Sequence, residues 1–241
     1  MRDIVIGDVH GCLDELDELI RMVGYPEAGD RLTFVGDLVD RGPDSIGVIR
    51  RVQELDANCV MGNHDEWYVR YARYERAGGK NPMSKPPHKT ALYALMSEGD
   101  IDYLSSLPLT YRLDEKLIVV HAGLAPNVSI DDQDPRHLLR MRYLERATGK
   151  MAKLDDLMTP ATHAYWTEVW TGPDNVVYGH HPSKSGTVET INGGVRCWGI
   201  DTGCCFGNCL TAWIRRDDGR VEWTNVAARE QYADWHKSMA E

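Results

Sequence analysis

Apolar residues in the first sixty positions of the chain alternate between two spacings. Short apolar runs over 4–6, 32–35 and 59–61 predict buried strands. Between them, apolar residues three or four positions apart predict helices over 13–23 and 46–55. This β-α-β-α-β order predicts neighbouring parallel strands. Their carboxyl ends would share the edge of the sheet at which α/β proteins bind ligands.

The pattern changes in the middle of the chain. Residues 66–77 and 89–107 have helical spacing, and the Gly-, Pro- and Lys-rich segment 78–88 between them predicts a loop. Residues 131–158 are polar and charged, and we expect them to form a helical lid or cap over a functional site.

The remaining apolar runs predict further strands. Residues 117–120 and 176–178 are short runs of this kind. Residues 187–223 alternate β-rich runs with Gly turns, which predicts a meander that completes a second sheet. Because the sequence has no repeat or linker, we predict an α/β fold in which residues 1–241 form a single domain.

Composition narrows the classes of function. The chain has 241 residues, of which 42% are hydrophobic, enough for a sizeable core. Its net charge of −10 argues against extended nucleic-acid binding and against docking on an anionic membrane, since both rely on clustered Lys and Arg. A phosphorylated substrate is compatible with this charge, because bound metal ions can supply the local positive field.

The first residues and the cysteines predict a cytoplasmic location. The N-terminus enters a predicted strand at once, so we expect no signal peptide, and no apolar run approaches the roughly 18 residues of a membrane span. We expect the six cysteines to be reduced. Cys204, Cys205 and Cys209 are better interpreted as buried small side chains than as zinc ligands, because no paired C-x-x-C or His completes the set.

Five glycine-flanked segments place Asp, His or Asn at the carboxyl ends of predicted strands. They are Gly7-Asp8-Val9-His10-Gly11, Gly36-Asp37-Leu38-Val39-Asp40-Arg41-Gly42, Gly62-Asn63-His64-Asp65, His121-Ala122-Gly123 and Gly179-His180-His181. Any one of them alone is ordinary turn chemistry. Because all five follow strands, they predict a shared cluster of metal ligands.

Carboxylate, imidazole and amide donors suit first-row metal ions. We expect one ion to be held by Asp8, His10 and Asp37. We expect the second to be held by Asp37, which would bridge both ions, and by Asn63, His121 and His180. Two such ions would clamp a phosphoryl group and activate a water. We expect two divalent ions, Mn²⁺ first, with Fe, Zn, Co or Ni compatible with the donors. His181 is expected at the rim rather than as a ligand.

Taken in order, these segments resemble the motifs of the phosphoprotein phosphatase family of binuclear metallophosphoesterases. The resemblance spans Gly7 to His180. It implies a calcineurin-like metallophosphoesterase fold, in which two packed mixed β-sheets are flanked by helices as a four-layer αββα sandwich. It also implies a metal-dependent phosphatase that hydrolyses phosphoric anhydrides or esters by attack of a metal-bridging hydroxide.

The resemblance further implies the roles of the residues around the metals. His64 would be the general acid that protonates the leaving oxygen, and Asp40 would orient it. The phosphate oxygens would be contacted by Arg41, Arg142 and Asn63. The segment Leu138–Arg142 is similar to the LLWxR-type segment of bacterial and phage members, which is the basis for Arg142; Arg140 is the alternative.

Other segments bear on the substrate. The residues around Trp170-Thr171-Gly172-Pro173 and Gln133-Asp134-Pro135 resemble the diadenosine-tetraphosphatase-like branch. Nucleoside polyphosphates such as diadenosine tetraphosphate are therefore expected, with serine/threonine phosphoproteins as the alternative. A phosphodiesterase or cap-removing enzyme and a non-catalytic metal-binding module stay open. A roofed pocket with an aromatic such as Trp166 or Trp170 would favour a base.

The loop and the cap carry basic residues that could either hold an anionic tail or form surface charge. They are Lys80, Lys85, Lys89, Arg136, Arg140, Arg146, Lys150 and Lys153.

Overall fold

The structure is a computed structural model that describes residues 1–153 and 158–235. In chain order its strands and helices are β1 (Arg2–Ile6), α1 (Leu13–Val23), β2 (Arg31–Phe34), α2 (Ser45–Glu54), β3 (Asn58–Cys59), α3 (Asn63–Arg76), α4 (Pro87–Leu95), α5 (Glu98–Ser106), β4 (Thr110–Asp114), β5 (Leu117–Val120), α6 (Pro135–Arg140), β6 (Tyr143–Glu145), β7 (His163–Tyr165), β8 (Asn175–Tyr178), β9 (Val188–Asn192), β10 (Val195–Gly199), β11 (Cys209–Arg216) and β12 (Val221–Ala227).

The first sheet has the strand order β12-β11-β1-β2-β3. The strands β1, β2 and β3 are parallel, as their alternation with α1 and α2 predicts. Helix α1 buries one apolar stripe on this sheet and ends at Gly24, whose φ of 65° only glycine adopts without strain. The strand ends after β1, β2 and β3 therefore share one edge.

The second sheet has the order β4-β5-β8-β10-β9. The prediction that residues 187–223 complete a second sheet is half wrong: β9 and β10 belong to it, but β11 pairs with β1 in the first sheet, antiparallel and with Ile4 opposite Ile214. Five consecutive residues of β11 are buried, so this strand needs an interior position in a sheet. It takes that position along the free edge of β1.

The two sheets pack face to face over a shared apolar layer. Val5 of β1 and Trp213 of β11 meet Val119 of β5 and Val177 of β8 in this layer. The alternate side chains of β1, Ile4 and Ile6, face the helices on the other side of the first sheet. The packing leaves the carboxyl ends of both sets of parallel strands at one end of the molecule.

The outer face of the second sheet is covered by α6, by a 3₁₀ turn at Trp166–Glu168 and by the two-stranded sheet of β6 and β7. The prediction of a helical segment over 131–158 is therefore wrong for most of its described length. Asp134 caps α6 and Pro135 begins it, but the helix ends at Arg140. Residues 143–145 then pair with β7 as a strand. Residues 154–157 lie outside the described part of the chain.

Two further expectations concern the chain as a whole. Within the described ranges no helix combines the length and the apolar character needed to cross a bilayer. That residues 1–241 form a single domain stays a prediction.

Candidate metal centre and active site

The five predicted segments converge at the common end of the two sheets. The backbone N–H of His10 donates to the carbonyl of Asp37 (2.9 Å), and that of Gly179 donates to the carbonyl of His121 (2.9 Å). These bonds join loops that follow neighbouring strands. Several residues of these loops have left-handed backbone conformations that side chains normally avoid, which is common at functional sites. These are His10, Asp37, Asp40, Arg41 and His180.

Asp37 lies at the centre of the cluster. Its Oδ2 atom is 3.5 Å from Nε2 of His10 and 3.4 Å from Nε2 of His121. Its Oδ1 atom accepts a hydrogen bond from the backbone N–H of His64 (2.9 Å). One carboxylate thus faces an imidazole from each sheet, which is the position that a bridging ligand needs.

The two imidazoles are oriented by the backbone. Nδ1 of His10 donates to the carbonyl of Val39 (2.7 Å), and Nδ1 of His121 donates to the carbonyl of Val35 (2.8 Å). With Nδ1 occupied in this way, Nε2 is the nitrogen of each ring that faces Asp37 and would bind a metal ion; in His10 this nitrogen also contacts Nη1 of Arg41. Nε2 of His121 also lies 3.1 Å from Oδ1 of Asn63, so two predicted donors are adjacent.

The donor atoms form two groups that share Asp37. His10 and His64 belong to one group, and His121 and His180 to the other. Within each group the candidate ligand atoms lie within 4.8 Å of one another. All of these side chains are buried. Buried nitrogen and oxygen donors at this spacing fit a pair of divalent ions.

Asp8 enters the cluster beside His180. Both of its carboxylate oxygens accept a hydrogen bond from the backbone N–H of His180 (3.1 Å each). Burial, followed by the nearby charges of Asp201 and Asp37, raises the pKa of Asp8 well above its usual value. Bound cations would neutralise the negative charge of these neighbouring buried carboxylates.

His64 is held by a buried carboxylate. Its Nδ1 atom lies 2.6 Å from Oδ2 of Asp40, and Asp40 also accepts hydrogen bonds from the hydroxyl of Tyr68 and the ammonium of Lys89. Burial alone raises the pKa of Asp40. The bond from His64 and the charge of Lys89 outweigh burial and hold that pKa well below its usual range. An ionised Asp40 fixes the ring, so Nε2 is the free nitrogen of His64.

Arg41 and Arg142 stand on the open side of the cluster. Nη1 of Arg41 lies 2.6 Å from Nε2 of His10, and its guanidinium stacks over Phe206 at 5.0 Å. The Nε atoms of Arg41 and Arg142 are buried without a hydrogen-bond partner among the described residues. Arg140, the alternative to Arg142, is instead paired with Glu66 (2.7 Å).

A cavity of about 430 Å³ opens over these side chains. It is lined by Asp37, Arg41, Asn63, His64, Arg140, Arg142, Tyr143, Met151, Ala152, Lys153, Met158, His180 and His181. The residues from Tyr143 to Met158 come from the segment predicted as a cap. Trp166 and Trp170 do not line it, because both are packed in the core behind the second sheet. Tyr143 contributes a phenol ring to this cavity instead.

Comparison with known proteins agrees with this geometry. The family described as calcineurin-like phosphoesterase matches residues 1–207. The chain belongs to the calcineurin-like phosphoesterase family. The predictions of the fold, of two mixed sheets flanked by helices, and of a metal-dependent hydrolase of phosphoric esters or anhydrides are thereby confirmed.

Several known proteins are similar to this chain over most of their length. A protein of Oceanobacillus iheyensis named bis(5'-nucleosyl)-tetraphosphatase PrpE [asymmetrical] is 32% identical, over 96% of this chain and 94% of that protein. A bis(5'-nucleosyl)-tetraphosphatase, symmetrical, of Coxiella burnetii is 29% identical over 86% of each. A crystal structure described as "a putative diadenosine tetraphosphatase" has a TM-score of 0.76, with 30% identity and 93% of both chains covered.

The structure adds three site residues that the sequence reasoning did not identify. Lys89, which was grouped with loop and surface charges, is buried against Asp40. Tyr68 lies four residues after His64, which places both on the same face of α3, and this spacing could have revealed it. Asp65 accepts bonds from the backbone N–H groups of Asp37, Leu38 and Gly62 (2.9–3.0 Å), so it ties two of the loops together.

Proposed function

We propose that this protein is a metal-dependent hydrolase of nucleoside polyphosphates such as diadenosine tetraphosphate. The observation that supports this most directly is the arrangement around Asp37. One carboxylate faces imidazoles from both sheets, and His64 and two arginines line the same cavity. The full-length similarity to proteins named bis(5'-nucleosyl)-tetraphosphatase supports the substrate class.

We assign as metal ligands the residues that the sequence motifs predict: Asp8, His10, Asp37, Asn63, His121 and His180. Two divalent ions held by these donors would supply Lewis acidity and positive charge at the phosphoryl group. Mn²⁺ is the ion we expect first, and Fe, Zn, Co or Ni fit the same mixed nitrogen and oxygen donors.

The chain's own side chains would bind the phosphates and move the proton. The Nε–H groups of Arg41 and Arg142 have no hydrogen-bond partner among the described residues. These two arginines would bind phosphoryl oxygens, a task suited to the planar guanidinium, with Asn63 contributing its amide. His64 would donate from Nε2 to the departing oxygen. Asp40 would keep the ring in place through Nδ1.

The lining of the cavity favours a small phosphorylated molecule over a phosphoprotein. Met151, Ala152, Lys153 and Met158 line it together with the proposed metal ligands Asp37, Asn63 and His180. An extended phosphopeptide would need a longer open groove.

We also propose a reducing, cytoplasmic environment. All six cysteines are unpaired, and five of them are buried. Thiols in this state are typical of proteins that work where thiols are kept reduced.

A substrate panel tests the proposal. With added Mn²⁺, kcat/KM would be compared for diadenosine tetraphosphate, a phosphoserine peptide, inorganic polyphosphate and p-nitrophenyl phosphate, and the nucleotide products would be separated by chromatography. We expect the dinucleotide to have the highest kcat/KM. A higher value for the phosphopeptide would replace this proposal with the protein phosphatase alternative.

A further inference from the structure

A second cavity, of about 590 Å³, adjoins the first at His64. Asn63, His64 and Arg140 line both cavities, so the two meet at the proposed general acid. The rest of its wall comes from α3, from the segment that leads into α4 and from Lys89 of α4. Those residues are Trp67, Arg70, Tyr74, Pro82, Met83, Ser84, Pro86 and Lys89. We call this space the α3 cavity.

The position of His64 tells which part of a substrate would enter the α3 cavity. Asp37, His180, Arg41 and Arg142 line the first cavity but not the α3 cavity, so the phosphoryl group under attack belongs in the first. Nδ1 of His64 is held by Asp40, so the proton for the departing oxygen leaves from Nε2. The departing group therefore lies on the His64 side of the attacked phosphorus, which is where the α3 cavity opens.

The walls of the α3 cavity suit a nucleoside better than a bare phosphate chain. Trp67 contributes a ring that stacks on Tyr71, with centroids 4.8 Å apart and planes at 14°, and the ammonium of Lys89 lies 5.2 Å from its centroid. Tyr74 is half-buried, and within residues 1–153 and 158–235 its hydroxyl has no hydrogen-bond partner. Met83 adds a polarisable apolar side chain. Aromatic rings of this kind are common platforms for stacked bases.

The α3 cavity has cationic side chains beside uncharged ones. Lys89 is bonded to Asp40, and Arg140 and Arg70 are both near Glu66, at 2.7 and 3.5 Å. Arg70 lies one helical turn before Tyr74, and Tyr74, Pro82 and Met83 are uncharged. A ligand that carries phosphates near His64 and a ring system near Tyr74 and Met83 matches these walls.

We propose that the α3 cavity binds the base and ribose of the departing nucleotide, with Trp67, Tyr74 and Met83 around the base. This inference rests on the proposed function, and it extends recognition from the phosphates to the base of the departing nucleotide. Each cavity falls within the roughly 300–1,000 Å³ that is usual for small-molecule sites.

Tyr74→Ala tests the inference, because Tyr74 lines the α3 cavity without taking part in the core stacking of Trp67. We expect KM for diadenosine tetraphosphate to rise about tenfold with little change in kcat, as expected for the loss of one base contact. The inhibition constant of inorganic tripolyphosphate, which has no base, should stay within about twofold. Tyr74→Phe keeps the ring and should lose less than Tyr74→Ala.

A binding measurement tests the affinity for the dinucleotide independently of its hydrolysis. Calorimetric titration with a methylene-bridged diadenosine tetraphosphate should show a Kd about tenfold weaker for Tyr74→Ala than for the wild type. Trp223→Ala, which removes a part-exposed aromatic from β12, is the matched control and should not change Kd.

The outcomes distinguish this inference from the proposal on which it rests. Equal losses for the dinucleotide and for tripolyphosphate, or no loss for either, would overturn the assignment of the α3 cavity and leave the proposed function intact. A wild-type protein that does not cleave the dinucleotide would overturn both.

Discussion

At the scale of single residues, Asp40 and His64 are the pair on which the proposed chemistry depends most. Asp40 accepts from His64, Tyr68 and Lys89, and all four side chains are buried. A buried carboxylate with three donors has a defined position, and it transmits that position to the imidazole. His64 shares the neighbourhood of His10 and Asp37, so its geometry alone is close to that of a ligand. Its bond to Asp40 indicates the other role.

His64→Ala separates the two roles. Loss of a general acid lowers turnover by typically about 10²–10⁴-fold, so we expect kcat to fall in this range. The metal content per chain, measured by elemental analysis after dialysis, should equal that of the wild type. His88→Ala, an exposed histidine in α4, is the matched control. Loss of metal from the His64 variant would instead make His64 a ligand.

At the scale of elements, the site depends on how closely the loops after β1, β2, β3 and β8 approach one another. A Cβ atom on Gly62 would lie 2.1 Å from Oδ1 of Asp37 and 2.2 Å from its backbone nitrogen. A Cβ atom on Gly179 would lie 2.0 Å from Oδ1 of Asp8. These glycines leave the space in which the two carboxylates lie. Helix α3 contributes too, since it begins at Asn63 and so presents Asn63 and His64 in its first turn.

Gly62→Ala should therefore damage the metal centre, although alanine can adopt the backbone conformation of Gly62. The methyl group must displace Asp37. We expect metal affinity and kcat/KM to fall at least about tenfold, with a loss of about 1–3 kcal/mol in the free energy of unfolding from overpacking. Gly79→Ala is the control, because no heavy atom lies within 4 Å of its Cβ position. Equal metal affinity in the Gly62→Ala and Gly79→Ala variants would show that Asp37 does not depend on the space beside Gly62.

At the scale of the whole molecule, the proposed ligands come from both sheets. Asp8, Asp37 and Asn63 follow strands of the first sheet, and His121 and His180 follow strands of the second. The sheets are otherwise joined by the apolar layer that contains Val5 and Trp213. Ions bound between the sheets would thus stabilise their packing as well as serve the chemistry.

Metal removal should lower the melting temperature. A ligand at about 100 times its Kd stabilises the folded state by about 2.7 kcal/mol. For a chain of this size that corresponds to a shift of roughly 5–10 °C. We expect scanning calorimetry to show this loss on adding a chelator and its recovery with Mn²⁺. In Asp37→Ala the chelator should have no effect, whereas the exposed Asp217→Ala should behave as the wild type. Two ions per chain in Asp37→Ala would refute the bridging role.

Features that depend on local spacing could be predicted from the sequence, whereas contacts between distant parts of the chain could not. The strands that precede Asp8, Asp37 and His121 could be predicted because periodicity is local, and parallel strands end at one edge. The partners of Asp40 could not, because Lys89 reaches it across 49 positions of the chain. The placement of β11 beside β1 is also a contact between distant parts of the chain.

The sequence by itself determined the kinds of donor, their attachment to strand ends and the membership of the family, because these depend on residue type and short spacing. Only the tertiary structure decided which imidazole nitrogen faces Asp37, that residues 143–145 form a strand rather than a helix, and that a second cavity opens at His64. Those features depend on which backbone carbonyls and which distant side chains come within a few ångströms, and local spacing does not specify that.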